Sequence, residues 1–381
     1  MSKLEELIAR LCPDGVEYKE IKTISKVLRG KRLTKNQLLD NGKYPVYHGG
    51  LEPLGFYNES NRSANTVMII NVGASAGTVG FCDTDFWSSD GCFCLEHSIS
   101  CIDKYLYYFL TTIENTIKSR VRHAGIPTLD AQIIDKIKVP VPPLEVQREI
   151  VHILDSFTFL TAELTAELAV RQKQYEWYKR NLIEDISDSR DLFRLKDVAS
   201  YVRERVYIDT ISKKNYVGVE NLLQDKKGKT DATTIPSSGN VIGFKKDDIL
   251  LGNIRPYLKK IWFADIEGGT NGDVLAIRAN NRLILPKYLY YILSTDSFFL
   301  YDNSHSKGAK MPRGNKEAIM DYEFSLPPLA EQQRIVDILD RFDALCNDIT
   351  SGLPAEIEAR KNQYEYYRDK LLTFKELKKE A

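Results

Sequence analysis

No run of apolar residues in the chain approaches the roughly 18 that a membrane-spanning helix requires. Net charge is missing as well. Lys and Arg number 53 and Asp and Glu 53, so a surface for a polyanion has to come from local segregation of charge. Six cysteines in 381 residues do not make a disulfide framework, and the opening MSKLEELIARL is a charged amphipathic pattern instead of a signal peptide. A cytoplasmic protein is the expectation.

Motifs that carry chemistry are scarce too. No (Asp/Asn)-Pro-Pro-aromatic tetrad is present, so the catalytic loop of an amino-methyltransferase is lacking. Gly228-Lys229-Thr230 mimics a phosphate loop, but Leu223 stands where its first glycine belongs. Gly73-Ala74-Ser75-Ala76-Gly77 lacks the dinucleotide fingerprint. Pro13-Asp14 lies too near Glu17 and Lys19 to form the separate strands of a nuclease site. Cys92, Cys94, His97 and Cys101, with Cys82 nearby, depart from zinc-ligand spacing, and the matching stretch Asp273–Ile277 offers no ligands. These cysteines are expected as buried strand residues. The five histidines and scattered acids show no triad or dyad spacing. No catalytic residue, no metal and no cofactor held by this chain are expected.

Hydrophobic content of 43% and charged content of 28% fit a soluble globular protein with room for two domains. The stretch from Pro142 to Ile183 has apolar residues at gaps of three and four: Val146, Ile150, Ile153, Leu154, Phe157, Leu160, Leu164, Leu168, Tyr175, Tyr178 and Leu182. That stripe predicts one helix roughly 60 Å long, too long for a single small domain and in need of a partner. The partner is in the chain. Pro142-Pro143-Leu144 answers Pro327-Pro328-Leu329, Ile153-Leu154-Asp155 answers Ile338-Leu339-Asp340, and Gln174-Tyr175-Glu176 answers Gln363-Tyr364-Glu365. The chain is a tandem duplication.

Residues 2–11 predict a short amphipathic helix, stopped by Pro13-Asp14-Gly15. Up to about residue 140 short β-prone runs alternate with turns; Thr66–Ile70 is the clearest buried strand and Phe93–Leu95 a shorter one. A helix is expected from Tyr105 to about Val121. In the second half Phe193–Val198 takes the place of Tyr18–Ile24 with one deletion, and Lys287–Leu293 repeats Lys104–Leu110. Ile126-Pro127 matches Met311-Pro312 at a shift of 185, the shift that joins Pro142 to Pro327. Between these anchors the halves diverge. Residues 161–168 read Thr-Ala-Glu-Leu twice, whereas Gly352 and Pro354 predict a break in the second helical segment after Thr350. The polar tail beyond Leu372 is expected to fray.

At these residues the chain resembles the specificity subunit (HsdS) of type I restriction–modification systems over essentially its whole length. Leu11-Cys12-Pro13-Asp14-Gly15-Val16-Glu17-Tyr18 is similar to the usual start of that family, and the two PPL…Q…I-V-x-I-L-D segments to the heads of its two helical regions. The doubled Thr-Ala-Glu-Leu and Gln363–Arg368 are similar to one subgroup. The resemblance implies an α/β (α+β) fold with two target recognition domains separated by two long antiparallel helices that act as a spacer. The implied extents are 1–141 for the first recognition domain with its N-terminal helix, 142–186 for the first long helix, 187–326 for the second domain, and 327–381 for the second helix, broken near 351–354. It also implies a non-catalytic subunit that reads a bipartite, asymmetric site on double-stranded DNA and docks two methyltransferase subunits and the motor–nuclease subunits. S-adenosylmethionine, ATP and Mg would sit on those partners, which methylate adenine N6. A self-contained DNA-modifying enzyme and a coiled-coil adaptor for protein partners stay open as alternatives.

Candidate DNA contacts are the local cationic runs. Lys118, Arg120, Arg122 and His123 stand just before Ile126-Pro127; His305, Lys307, Lys310, Arg313 and Lys316 surround Met311-Pro312 with no acid until Glu317. Both runs occupy the same place in the duplicated frame, and Gly125, Gly308 and Gly314 would let backbone approach a phosphate. Arg29, Lys31 and Arg32, like Arg203 and Arg205, follow the first strand of each domain. Arg255, Lys259 and Lys260 flank Pro256-Tyr257, and Arg255 is suited to bidentate reading of guanine. For every run the competing reading is a solvated loop. The tyrosine runs 105–108 and 288–291 recur where specificity should differ and are expected in the cores. Tyr175, Trp177 and Tyr178, with Tyr364, Tyr366 and Tyr367, are assigned to packing within the helix pair or to methyltransferase docking.

Overall fold

The computed structural model describes residues 3–184, 192–280, 282–348 and 350–377. The boundary expected at 186–187 lies outside the described residues, as does the end of the tail from 378. The chain divides into two compact units, Met1–Thr165 with Glu356–Ala381, and Ala166–Ala355.

In the first unit the all-buried run Thr66–Ile70 takes a central place, because a strand apolar on both faces must be covered on both. It pairs antiparallel with Val79–Cys82 on one side and Cys92–Leu95 on the other, and Val27–Arg29 forms the far edge. Asp103–Thr112 packs on this sheet through the buried Tyr105, Leu106, Phe109 and Leu110. The helix breaks at Ile113 and resumes as Glu114–Lys118, so the continuous helix expected to Val121 is interrupted. A smaller sheet joins Gly55–Tyr57, Tyr44–Tyr47 and Trp87–Ser88.

The second unit repeats the main sheet in the same order: Ala199–Tyr201, Val274–Ala279, Ile249–Gly252, Ile261–Phe263. Its smaller sheet differs, with four strands ordered Arg205–Tyr207, Asn240–Phe244, Gly268–Thr270, Tyr216–Val217. Each unit is closed by a two-stranded ribbon, with Tyr18 opposite Pro140 in one and Leu192 opposite Ser325 in the other. Pro140 and Ser325 are 185 apart, so Tyr18 corresponds to Leu192 and no deletion separates the two starts, contrary to the alignment read from sequence.

The linking helix runs unbroken from Leu144 to Ile183. In the first unit its head buries Val146, Ile150 and Leu154 in the sheet-and-helix core together with Leu372, and Phe157 stacks on Tyr367 with ring centres 5.5 Å apart. In the second unit its tail buries Tyr175 and Ile183 beside Ile335, Val336 and Leu339 of the helix Leu329–Asn347. There Tyr175 and Tyr178 meet Phe342 while Arg171 lies beside Cys346, so the two segments run antiparallel. The turns that follow each PPL head thus enter the core of their own unit, whereas Pro143, Pro328 and Leu329 are exposed. Leu160 and Tyr178, counted in the apolar stripe, are exposed; from residue 157 to residue 171 the half-buried positions are Phe157, Thr161, Leu164, Leu168 and Arg171, at alternating gaps of four and three.

After Asn347 the helix stops, and a second one runs Leu353–Leu371 with Pro354 in its first turn, where a missing N–H is harmless. Asp348 closes the turn by accepting from the Thr350 N–H at 2.7 Å. The expected fraying fails for residues 374–377. Val16 bridges Glu376 in parallel, its N–H donates to Lys375 O at 2.9 Å, and the Leu377 N–H donates back to Val16 O at 2.9 Å. Gly15 permits this contact: it has φ +112°, and a Cβ there would lie 2.4 Å from Lys375 O.

The tyrosine runs lie in the cores, with Tyr105, Tyr108, Tyr288 and Tyr291 buried. All six cysteines are buried, Cys92 and Cys94 within a central strand. No helix among the described residues is long and apolar enough to cross a membrane.

Candidate nucleic-acid interface

The end of the main sheet where the first and central strands finish is where the cationic runs gather. In the first unit Asn71 follows the central strand. It donates its N–H to Gly91 O at 3.2 Å and accepts from the Leu129 N–H at 2.9 Å. Two residues on, the Gly73 N–H donates to Pro127 O at 2.9 Å. These bonds hold a hairpin in which Arg122 and Thr128 exchange both backbone hydrogen bonds, at 2.9 and 3.0 Å. Its tip is His123–Pro127, with Gly125 at φ +85° making the turn.

The second unit builds the same device. Asn253 donates to Asp273 O at 2.9 Å and accepts from the Gly314 N–H at 3.0 Å, and the Arg255 N–H donates to Pro312 O at 2.7 Å. Lys307 and Arg313 exchange both backbone bonds at 2.9 Å. Every hairpin position is matched at the shift of 185. The strand-end residue Gly73, at φ +90°, is replaced by Arg255, held at φ +54°. An arginine in the left-handed region is strained, and such strain persists where the surroundings over-determine it, commonly at binding sites.

Arg29, Lys31 and Arg32 reach the same sheet end, since the Gly30 N–H donates to Cys92 O (3.2 Å) and the Lys31 N–H to Ser88 O (2.9 Å), beside the start of Cys92–Leu95. Arg203 follows Val202, whose N–H donates to Ala276 O at 2.8 Å, and Arg205 opens the smaller sheet. The candidates then separate by state. Arg29, Lys31, Arg32, Arg120, Arg122, His123, Arg203, Arg205, Arg255, Lys307 and Lys310 are exposed and make no ion pair among the described residues. Four are engaged. Lys118 pairs with Glu114 at 2.5 Å, Lys259 with Asp296 at 2.8 Å and Arg313 with Asp273 at 3.0 Å. Lys260 donates to Val219 O at 2.6 Å, and burial draws its pKa down. Exposed Tyr257 stands in the Arg255 loop.

Beneath the second hairpin lies Asp302, which sequence reasoning passed over. It is buried, both carboxylate oxygens lack a hydrogen-bond partner among the described residues, and burial pushes its pKa up to about 6 against the opposing influence of His305. Asn71 Oδ1 and Asn253 Oδ1, at matching positions in the two units, are likewise buried without a partner. A single buried acid among apolar residues leaves no spacing signal.

The fold also assembles a Ser–His–Asp chain that the spacing hides. Ser63 Oγ lies 2.8 Å from His97 Nε2, and His97 Nδ1 lies 2.8 Å from Asp103 Oδ2. Residues 34 and 6 positions apart give no triad spacing in the sequence, and the contact arises only in the fold. Its chemistry is another matter, because the Ala64 N–H beside the serine, the natural oxyanion donor, is already given to Asp85 Oδ1 at 2.8 Å. The chain of bonds ties the approach to the central strand to the start of Asp103–Thr112.

The sequence profile of the family "Type I restriction modification DNA specificity domain" matches twice, over residues 13–170 and 190–359. The chain is 29% identical, over 98% of its length and 97% of the relative's, to the type I restriction enzyme EcoR124I/EcoR124II specificity subunit of Escherichia coli. It is also 29% identical to a putative type I restriction enzyme specificity subunit of Haemophilus influenzae, covering 94% of this chain and 96% of that one. Its fold is similar to the crystal structure of the type I restriction–modification S subunit from M. genitalium, with a TM-score of 0.63 at 16% identity over 94% of this chain and 96% of that one. With two copies of the domain filling most of its length, the chain belongs to the family of type I restriction–modification DNA specificity subunits.

Proposed function

We propose that this chain supplies the DNA sequence specificity of a type I restriction–modification complex. It binds a bipartite, asymmetric duplex site, one half with each unit, and docks adenine-N6 methyltransferase subunits and motor–nuclease subunits. It performs no chemistry itself; S-adenosylmethionine, ATP and Mg belong to the partners, and base flipping with methyl transfer to the methyltransferase.

One observation carries the reading. The two units share a sheet order and a hairpin stitched down by equivalent hydrogen bonds, yet they carry different side chains on it and continue into smaller sheets of three and four strands. A common frame with unlike contents is what two half-sites of different sequence call for. The exposed, unpaired cations at that end of each sheet suit phosphate contact, which positions a protein on DNA and leaves base edges to neighbouring side chains.

Mapping of methylated adenines in cells with and without the chain tests this. Loss of one gapped, two-part motif is expected on deletion, and an unchanged methylome would overturn the reading.

A further inference from the structure

The tip of each hairpin carries an apolar side chain in water. Ile126 is 70% exposed and Met311 is 52% exposed. They stand at the same register, each followed by proline, although of the three residues before them only the alanine is shared: His123-Ala124-Gly125 in one unit, Gly308-Ala309-Lys310 in the other. Random drift at a solvent-facing turn would favour polar residues there. The base of each hairpin is fixed by the paired backbone bonds of Arg122 with Thr128 and of Lys307 with Arg313, and the tip itself is tied down at Pro127 by Gly73 and at Pro312 by Arg255, so the apolar side chain is carried on a rigid support. Residues 119–129 and 305–316 contain no acid, and Arg120, Arg122, His123, Lys307 and Lys310 beside the tips have no ion-pair partner among the described residues.

We propose that each tip is a wedge, Ile126 in the first unit and Met311 in the second, that enters duplex DNA between neighbouring base pairs while the adjoining cations grip the phosphates. Ile, Met and Pro are among the side chains that unstack a base step and bend the duplex in this way. An apolar tip ringed by unpaired cations fits a stacked, polyanionic partner better than an apolar protein groove. Partial unstacking also lowers the energy that the methyltransferase must spend to extrude its adenine. The inference rests on the DNA-binding reading above and adds the mode of contact.

The test uses the full chain with its methyltransferase partner and a duplex of about 40 base pairs carrying the methylated motif mapped in cells. 2-Aminopurine is placed in turn at half-site positions other than the methylated adenine. The wild-type protein should raise its emission at one step in each half-site. Ile126→Ala should abolish the rise in one half-site only and Met311→Ala in the other. Each should weaken binding about tenfold with an unchanged slope of log K against log salt. Arg122→Ala should instead lower that slope by about 1. If both tip variants keep wild-type affinity and emission, the wedge is wrong and DNA binding stands. If they bind DNA normally but no longer retain the methyltransferase, the tips are protein docks and the wedge is again wrong. If the wild-type complex shows no salt-dependent binding of the duplex, the underlying reading fails.

Discussion

Gln147 and Gln332 make the same three hydrogen bonds in the two units. The Gln147 side-chain oxygen accepts from the Ile102 N–H at 2.8 Å and its amide nitrogen donates to Ser100 O and Pro142 O; Gln332 does so with Leu285, Leu283 and Pro327. Both amides are fully buried, and each ties the head of a long helical segment to the loop that precedes the tyrosine-rich helix. Gln147→Leu would take the partner from the Ile102 N–H and from the Ser100 and Pro142 carbonyls, the last of them buried, and a loss of about 2–4 kcal/mol is expected. Gln332→Leu should weaken the second unit by a similar amount. Hydrogen exchange should place each loss in its own unit.

Asp302 makes the second unit sensitive to acid in the unusual direction. Its folded pKa, raised by burial to about 6, exceeds the ordinary carboxylate value, so folding favours the protonated form. The contribution is fully present below about pH 4 and is lost as pH rises through 6, with a span on the order of 3 kcal/mol. Urea unfolding of Asp302→Asn between pH 4 and 7 should show this fall removed.

Lys179 works from the other end of the scale. It is buried, donates to Ser294 O at 2.9 Å, and burial, reinforced by Lys226, lowers its pKa to about 8. The unfolded chain holds this proton more tightly, so stability should climb as pH rises from about 8 toward 10 and be lost as pH falls through 8. Lys179→Met, which removes the buried charge, should flatten that climb in unfolding measured from pH 7 to 10.

Ser63 should not behave as a nucleophile. The Ala64 N–H, the donor that would face an oxyanion formed at this serine, is held by Asp85. A fluorophosphonate probe is expected to leave Ser63 unlabelled, read by intact mass. His97→Ala should instead destabilise the first unit by about 1 kcal/mol through loss of the brace.

The doubled Thr-Ala-Glu-Leu lies inside the unbroken helix Leu144–Ile183, with Thr161 and Thr165 donating back to the carbonyls of Phe157 and Thr161. One copy more or less changes the helix by about 6 Å and about 40° of rotation. Methylome mapping of such variants should show a changed length of the unspecified gap and both half-sites intact. Altered half-site sequences would speak against the helix as a spacer.

Much of the frame could be read in advance because it is written as periodicity and repetition. The apolar stripe announces the linking helix, the shift of 185 pairs the hairpins, and Gly352 with Pro354 marks the interruption between Leu329–Asn347 and Leu353–Leu371. Four things could not be read, each for its own reason. The alignment of Tyr18 with Leu192 depends on strand register, which residue identity alone leaves one step loose. The Ser63–His97–Asp103 chain joins residues 34 and 6 positions apart, a separation that only the sheet brings together. The polar composition of the tail predicts fraying, but residues 374–377 are held through backbone hydrogen bonds, which composition does not reveal. Among the cations, charge alone could not separate Arg120 and Lys307 from Lys118 and Lys259, whose acids come from the fold.

The strand-like contact between Val16 and Glu376 has a bearing on how the protein is made. The first unit takes its closing helix and Leu372 from beyond the whole of the second, so on the ribosome the domain begun earlier is finished later. A nascent chain halted near residue 355 should hold a completed second unit and a first unit still open to proteases and chaperones.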